Sequence, residues 1–157
     1  KWGDFEIRQY EPRVVAETVV QEDFEQAIKE GFNILAAYIF GQNATKTKIA
    51  MTAPVEQEPL STNWLIAFSM PATYEITDLP LPKDSRITLK QIEEKKMAAL
   101  IFPGFCTEKK AAKNTKLLLE LIEQHGYTPI SPCVFARYDP PWTLSCFRHN
   151  ELLFAIQ

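Results

Sequence analysis

Side chains with nucleophilic, proton-transferring or metal-ligating chemistry are few in this chain: three cysteines, Cys106, Cys133 and Cys146, and two histidines, His125 and His149. A thiol beside an imidazole can act as an activated nucleophile, so Cys133 or Cys146 with His125 or His149 is the one pairing of that kind open to it. No recognisable catalytic constellation surrounds any of the five residues. There is also no CxxC or CxxCH spacing, which sets aside a zinc ribbon, a thioredoxin-type motif and covalent haem attachment. An odd cysteine count fits thiols buried in a core, and no disulfide is expected. His125 stands before Gly126 at the end of a helix-length segment, where the helix dipole favours a cation and a capping role follows. These residues point away from an enzyme.

The elements that must position any binding residues follow from periodicity. Phe5 to Val20 alternates imperfectly around Pro12-Arg13 and reads as two strands joined by a turn, a hairpin. Asp23 with Gln26 forms a capping box ahead of a helix over residues 24–40, which Gly41 ends. The run Lys48-Ile-Ala-Met-Thr-Ala-Pro-Val55 is strand-like, but Pro54 has no N–H for a ladder, so the strand must bend or stop there as a corner with Met51 and Thr52 on opposite faces. Trp64 to Met70 is a dense apolar strand, and Leu79-Pro-Leu-Pro82 a stiff extended connector. Beyond it the pattern repeats. Ile7-Arg-Gln-Tyr-Glu11 aligns with Leu89-Lys-Gln-Ile-Glu93, a second helix runs from Glu108 to His125 with Thr107 as N-cap, and strands close the chain near 133–138 and 151–156. The expected fold is one α+β domain over 1–157. It is a distorted antiparallel β-barrel made from two pseudo-symmetric hairpin–helix–two-strand halves, about 1–78 and 83–157, and flanked by two α-helices.

Composition narrows the partners. With 157 residues, 46% of them hydrophobic, the chain can fill one core but not two ordinary domains. A net charge of −3 without a Lys/Arg cluster argues against nucleic acid. No apolar run reaches the length of a bilayer span and no leader precedes the first strand, so a soluble protein is expected, either cytoplasmic or exported after loss of a leader. The first helix carries surplus apolar surface. Phe24, Ala27, Ile28, Gly31, Leu35, Tyr38 and Ile39 make a core stripe, and a second row, Phe32, Ala36 and Phe40, lies beside it. That row is either covered by more protein, the commoner fate of aromatic stripes, or forms the floor of an apolar groove.

Phe5-Glu-Ile-Arg-Gln-Tyr10, Gly41-Gln-Asn43, the Lys48–Val55 run, Tyr138-Asp-Pro-Pro-Trp142 and Arg148-His-Asn-Glu151 together resemble the SOUL / haem-binding protein family. They fall in that family's order and span nearly the whole chain. The resemblance implies the same distorted barrel with two helices, and non-covalent haem held largely by apolar contact between the first helix and the loop before the last strand. Carried over by position, the helix contributes Lys29, Phe32, Asn33 and Ala36, and the loop Tyr138, Trp142 and Phe147. Aromatic rings can stack on a porphyrin face, while Lys29 or Arg148 can meet a propionate. His149 is the candidate axial ligand, with an exposed turn histidine as the alternative. Some retinal members carry a histidine just before the first-hairpin tyrosine, and this chain has Gln9 there.

The leading expectation is a non-catalytic carrier or buffer for haem, a related tetrapyrrole or another flat apolar molecule. A second reading is a general small-molecule receptor, since the duplicated half resembles effector-binding domains of transcription regulators that take flat cationic drugs in an acid-lined cleft. Glu17 is the interior-carboxylate candidate for that role. Less favoured are a hydrolase on the same fold and a pure interaction protein, in which the helix row would dock a protein partner.

Overall fold

A computed structural model describes residues 3–104, 107–139 and 149–157. In chain order the elements are β1 (Phe5–Tyr10), β2 (Arg13–Val20), α1 (Phe24–Ile39), β3 (Val55–Leu60), β4 (Asn63–Ser69), a 3-10 turn (Ile76–Asp78), β5 (Thr88–Ile92), β6 (Lys95–Pro103), α2 (Glu108–Gln124), β7 (Val134–Arg137) and β8 (His149–Ala155). The fold is α+β with antiparallel strands and two helices, as expected. It forms two compact units, Pro12–Glu93 and Lys1–Glu11 with Glu94–Gln157.

Both helices begin where the sequence signals place them. The Asp23 carboxylate accepts from the Gln26 N–H at 2.7 Å, and the Thr107 hydroxyl accepts from the Lys110 N–H at 3.2 Å. Both stop at a glycine with positive φ, Gly41 at 117° and Gly126 at 80°, a conformation that costs side-chain-bearing residues dearly.

The expected first hairpin does not form. β1 pairs with β6, while β2 pairs with β5 and β4. The reason lies in the two-residue link Glu11-Pro12. The favoured two-residue reversals need positive φ at the first residue, which Glu11 does not adopt, or at both, which proline, locked near −65°, forbids. The link between β5 and β6, Glu93-Glu94, has no positive φ either, whereas Ser61, in the link between β3 and β4, sits at 56° and that pair does close into a hairpin. The first strand of each half therefore pairs with the other half's second strand. The Lys48–Pro54 run also differs from expectation: it is loop, and β3 starts at Val55, just past Pro54.

In the unit of Pro12–Glu93 the strand order is β5-β2-β4-β3. Val14, Ala16 and Val20 with Ile66 and Phe68 form the face that packs on Ala27, Leu35, Tyr38 and Ile39 of α1. Close approach is set by Gly31, where an added Cβ would lie 2.4 Å from Ile66 Cγ1. In the other unit the order is β1-β6-β8-β7. Phe5 and Phe102 face α2, against the His125 ring at 4.8 Å and the Lys110 ammonium at 5.9 Å. The opposite face carries Met97, Ala99, Val134, Ala136, Leu153 and Ala155.

Candidate functional site

The α1 row divides along its length. Ala36 is buried, Phe32 is half-buried with its ring 5.5 Å from that of Phe68, and Phe40 at the C-cap is 59% exposed. Lys29 and Asn33 are exposed on the same helix. Protein cover thus accounts for Ala36 and part of Phe32, and leaves Phe40 open. Ile34, buried beside Ala27, widens the core stripe beyond the residues the periodicity picked out.

The C-terminal end of α1 is tied to the chain that follows. Asn43, fully buried, donates to the carbonyls of Tyr38 at 2.9 Å and Thr47 at 2.8 Å and accepts from the Thr47 N–H at 3.0 Å. The Tyr38 hydroxyl donates to the Pro80 carbonyl at 2.7 Å, and burial with nearby Tyr74 pushes its pKa up to about 12. These bonds hold the Leu79–Pro82 connector against the helix end and fix the setting of Phe40.

A polar cluster occupies the apolar face of the other unit. Glu151 on β8 lies level with Ile101 and Ala136 on the neighbouring strands and is 2% exposed. Arg8 reaches it from β1, giving one N–H to each carboxylate oxygen, Oε1 at 2.9 Å. The same guanidinium donates to the Tyr10 hydroxyl at 3.0 Å and to Glu6 at 2.6 Å. The Tyr138 hydroxyl donates to Glu151 Oε1. Burial alone would push the Glu151 carboxyl up, but the hydrogen bonds from Arg8 and Tyr138 outweigh it and hold the group below its ordinary range. The Tyr138 phenol moves far up, because it is desolvated and already bonded to a carboxylate. It is a hydrogen-bond donor here and a poor source of phenolate.

Lys29, Phe32, Asn33 and Ala36 come together on α1. Tyr138 and His149 come together at the facing ends of β7 and β8, with rings 5.0 Å apart and edge-on, and the Tyr138 N–H bonded to the His149 carbonyl at 3.2 Å. The His149 side chain is half-exposed, and its Nε2 lies 3.8 Å from Glu151. Trp142, Phe147, Arg148, Cys106 and Cys146 lie outside the described residues. Cys133 is buried, with the Thr115 hydroxyl donating to its Sγ at 3.7 Å. His125 caps α2, with Nδ1 2.8 Å from the Leu121 carbonyl. Glu17 is half-buried; among the described residues the buried carboxylates are instead Glu56 and Glu151. Sequence reasoning passed over Arg8 and Glu151. The available signal was a charge set into the apolar run Glu151-Leu-Leu-Phe-Ala-Ile156.

Among the described residues no group of three or more His, Cys, Asp or Glu side chains could hold a metal ion, and no helix is long and apolar enough to cross a membrane. Fold and site together define a small α+β protein with half-open aromatic surface on one helix and self-paired charges on its sheets. The chain belongs to the SOUL heme-binding protein family, whose sequence profile matches residues 1–155. It is 30% identical over 160 residues to heme-binding protein 2 of Mus musculus, covering 96% of this chain and 77% of that one. Among solved structures it is similar to the EcmrR C-terminal domain, with a TM-score of 0.75 at 13% identity over 98% of this chain and 96% of that one. It is also similar to a hydrolase from Listeria innocua, with a TM-score of 0.68 at 12% identity over 98% and 92% of the two chains. Identities this low establish a shared fold alone.

Proposed function

We propose that this protein binds haem or a related tetrapyrrole non-covalently, as a non-catalytic carrier or buffer. Family membership supports the ligand class, and the α1 row supports the mode. The carrying observation is the half-buried Phe32 and exposed Phe40 on a helix that also presents Lys29 and Asn33. A porphyrin has a wide apolar face and a carboxylate-bearing edge, and these residues fit both. Phe32 and Phe40 would meet the face, Lys29 a propionate by a charge-assisted hydrogen bond, and Asn33 a polar edge, whereas Ala36 is already covered by protein. When bound, haem supplies a redox-active iron and a strong visible absorbance.

Affinity in this reading comes from burying the macrocycle and not from an iron–histidine bond. His149 is turned toward Glu151, and the position where some relatives carry histidine is Gln9. The test is a Soret-band titration of the parent, Phe32→Asp, Phe40→Asp and His149→Ala, each first shown to be folded by circular dichroism. Loss of binding in the two phenylalanine variants with retention in His149→Ala supports the reading. Loss in His149→Ala with retention in both others overturns it.

A further inference from the structure

The unit containing β1, β6, β7 and β8 buries a carboxylate on a face of small and apolar side chains. Around Glu151 lie Ile101 and Ala136, with Ala99 and Leu153 one rung further along. An ionised carboxylate in such a place is strongly disfavoured unless a counter-charge and hydrogen bonds match it. Arg8 supplies the counter-charge through two parallel N–H bonds, a geometry that suits a planar delocalised cation and that a lysine ammonium cannot reproduce. Phenols complete the surroundings: Tyr138 bonds the carboxylate and Tyr10 accepts from the guanidinium. From the carboxylate outward, this is a receptor for a planar cation, with the cation supplied by the chain itself.

Two further observations give the arrangement a role beyond a simple ion pair. Arg8 comes from the outermost strand of its unit's sheet and keeps 22% of its side chain in contact with water, whereas Glu151 keeps 2%. The place it fills is therefore reachable from solvent. The other unit repeats the device: buried Glu56 is bonded by Arg13, which also donates to the Ser69 hydroxyl at 2.7 Å. Every buried carboxylate among the described residues is thus answered by an arginine of its own unit.

We infer that Arg8 is a resident cation that determines specificity: it occupies the planar-cation site formed by Glu151, Glu6, Tyr10 and Tyr138, so that this face rejects free cationic ligands. The consequence is that no free cation binds at this face of the native protein. This goes beyond the haem-binding reading and does not rest on it.

The experiment vacates the site. Arg8→Ala protein is titrated by calorimetry with ethylguanidinium and with ethylurea, a neutral molecule of nearly the same shape. Ethylguanidinium is expected to bind Arg8→Ala at least tenfold more tightly than ethylurea does and the parent not measurably, and adding Glu151→Gln together with Glu6→Gln should erase the preference. Equal binding of the two compounds, no binding to a folded Arg8→Ala, or equal ethylguanidinium binding to the parent overturns the proposal. Should Arg8→Ala fail to fold alone, circular dichroism in millimolar ethylguanidinium or ethylurea decides the matter. Recovery with ethylguanidinium alone supports the inference, and recovery with both or neither overturns it. A haem titration of Arg8→Ala reports on the proposed function separately.

Discussion

Arg8 and Glu151 stand 143 residues apart in sequence and meet through two hydrogen bonds that reach across β6. Removing Arg8 leaves the buried Glu151 carboxylate without a counter-charge, whereas removing Glu151 leaves Arg8 the Glu6 carboxylate as its one remaining ionic partner among the described residues. Glu151→Gln keeps the shape and removes the charge. It is expected to destabilise the protein by roughly 3 kcal/mol, the lower end for a buried pair because Arg8 stays partly in water. Urea unfolding of the variant at neutral pH measures this.

The same pair makes stability depend on pH. The folded state holds the Glu151 carboxyl below its ordinary range, so it binds that proton more weakly than the unfolded chain does. The contribution is complete above the ordinary carboxylate range and is lost as the pH falls through the lower, folded value. The stability gap between parent and Glu151→Gln should therefore shrink on acidification. A gap constant from neutral to strongly acidic pH would show that the charge is not what stabilises.

Gly31→Ala tests the approach of α1 to its sheet. Alanine is the better helix former by about 1 kcal/mol. Here its methyl would lie 2.4 Å from Ile66 Cγ1 and 2.6 Å from Cβ, and Cβ is fixed to the strand backbone. Overpacking is expected to win, with a net loss of about 1–2 kcal/mol after that offset. An increased melting temperature would mean that the helix sits further from β4.

Asn43→Ala should lower stability by roughly 2–3 kcal/mol, because it leaves buried main-chain groups of the 38–47 segment without partners. If haem lies along α1, the same variant should weaken haem binding through Phe40, whose setting depends on that segment. A Soret titration beside a thermal melt separates the two effects.

Lys29→Glu should weaken haem binding by less than Phe32→Asp does. An exposed ion pair contributes about 1 kcal/mol or less, whereas a carboxylate beneath an apolar macrocycle costs more. A duplication origin for the two units, which we also propose, carries its own expectation: least-squares superposition of one unit on the other should lay α2 on α1 with β6, β7 and β8 on β2, β3 and β4.

Local chemistry decided the elements. Asp23 and Thr107 as caps, Gly41 and Gly126 as stops and the period of α1 mark both helices to within a residue or two, because each signal acts between neighbours in the chain. The resemblance carried by Phe5–Tyr10 and Arg148–Glu151 was legible for the same reason, since those segments are contiguous. Strand partnership was not. Whether β1 turns back onto β2 or runs on to β6 depends on whether Glu11-Pro12 can reverse and on which apolar faces then find cover, and only the second of these is non-local. The charge pairs were hidden more deeply. Nothing local marks Arg8 and Glu151 as partners; the register of β1 on β6 and of β6 on β8 brings them into reach. Burial then forces the pairing, for the low polarity that makes a lone carboxylate expensive also strengthens its bond to a guanidinium.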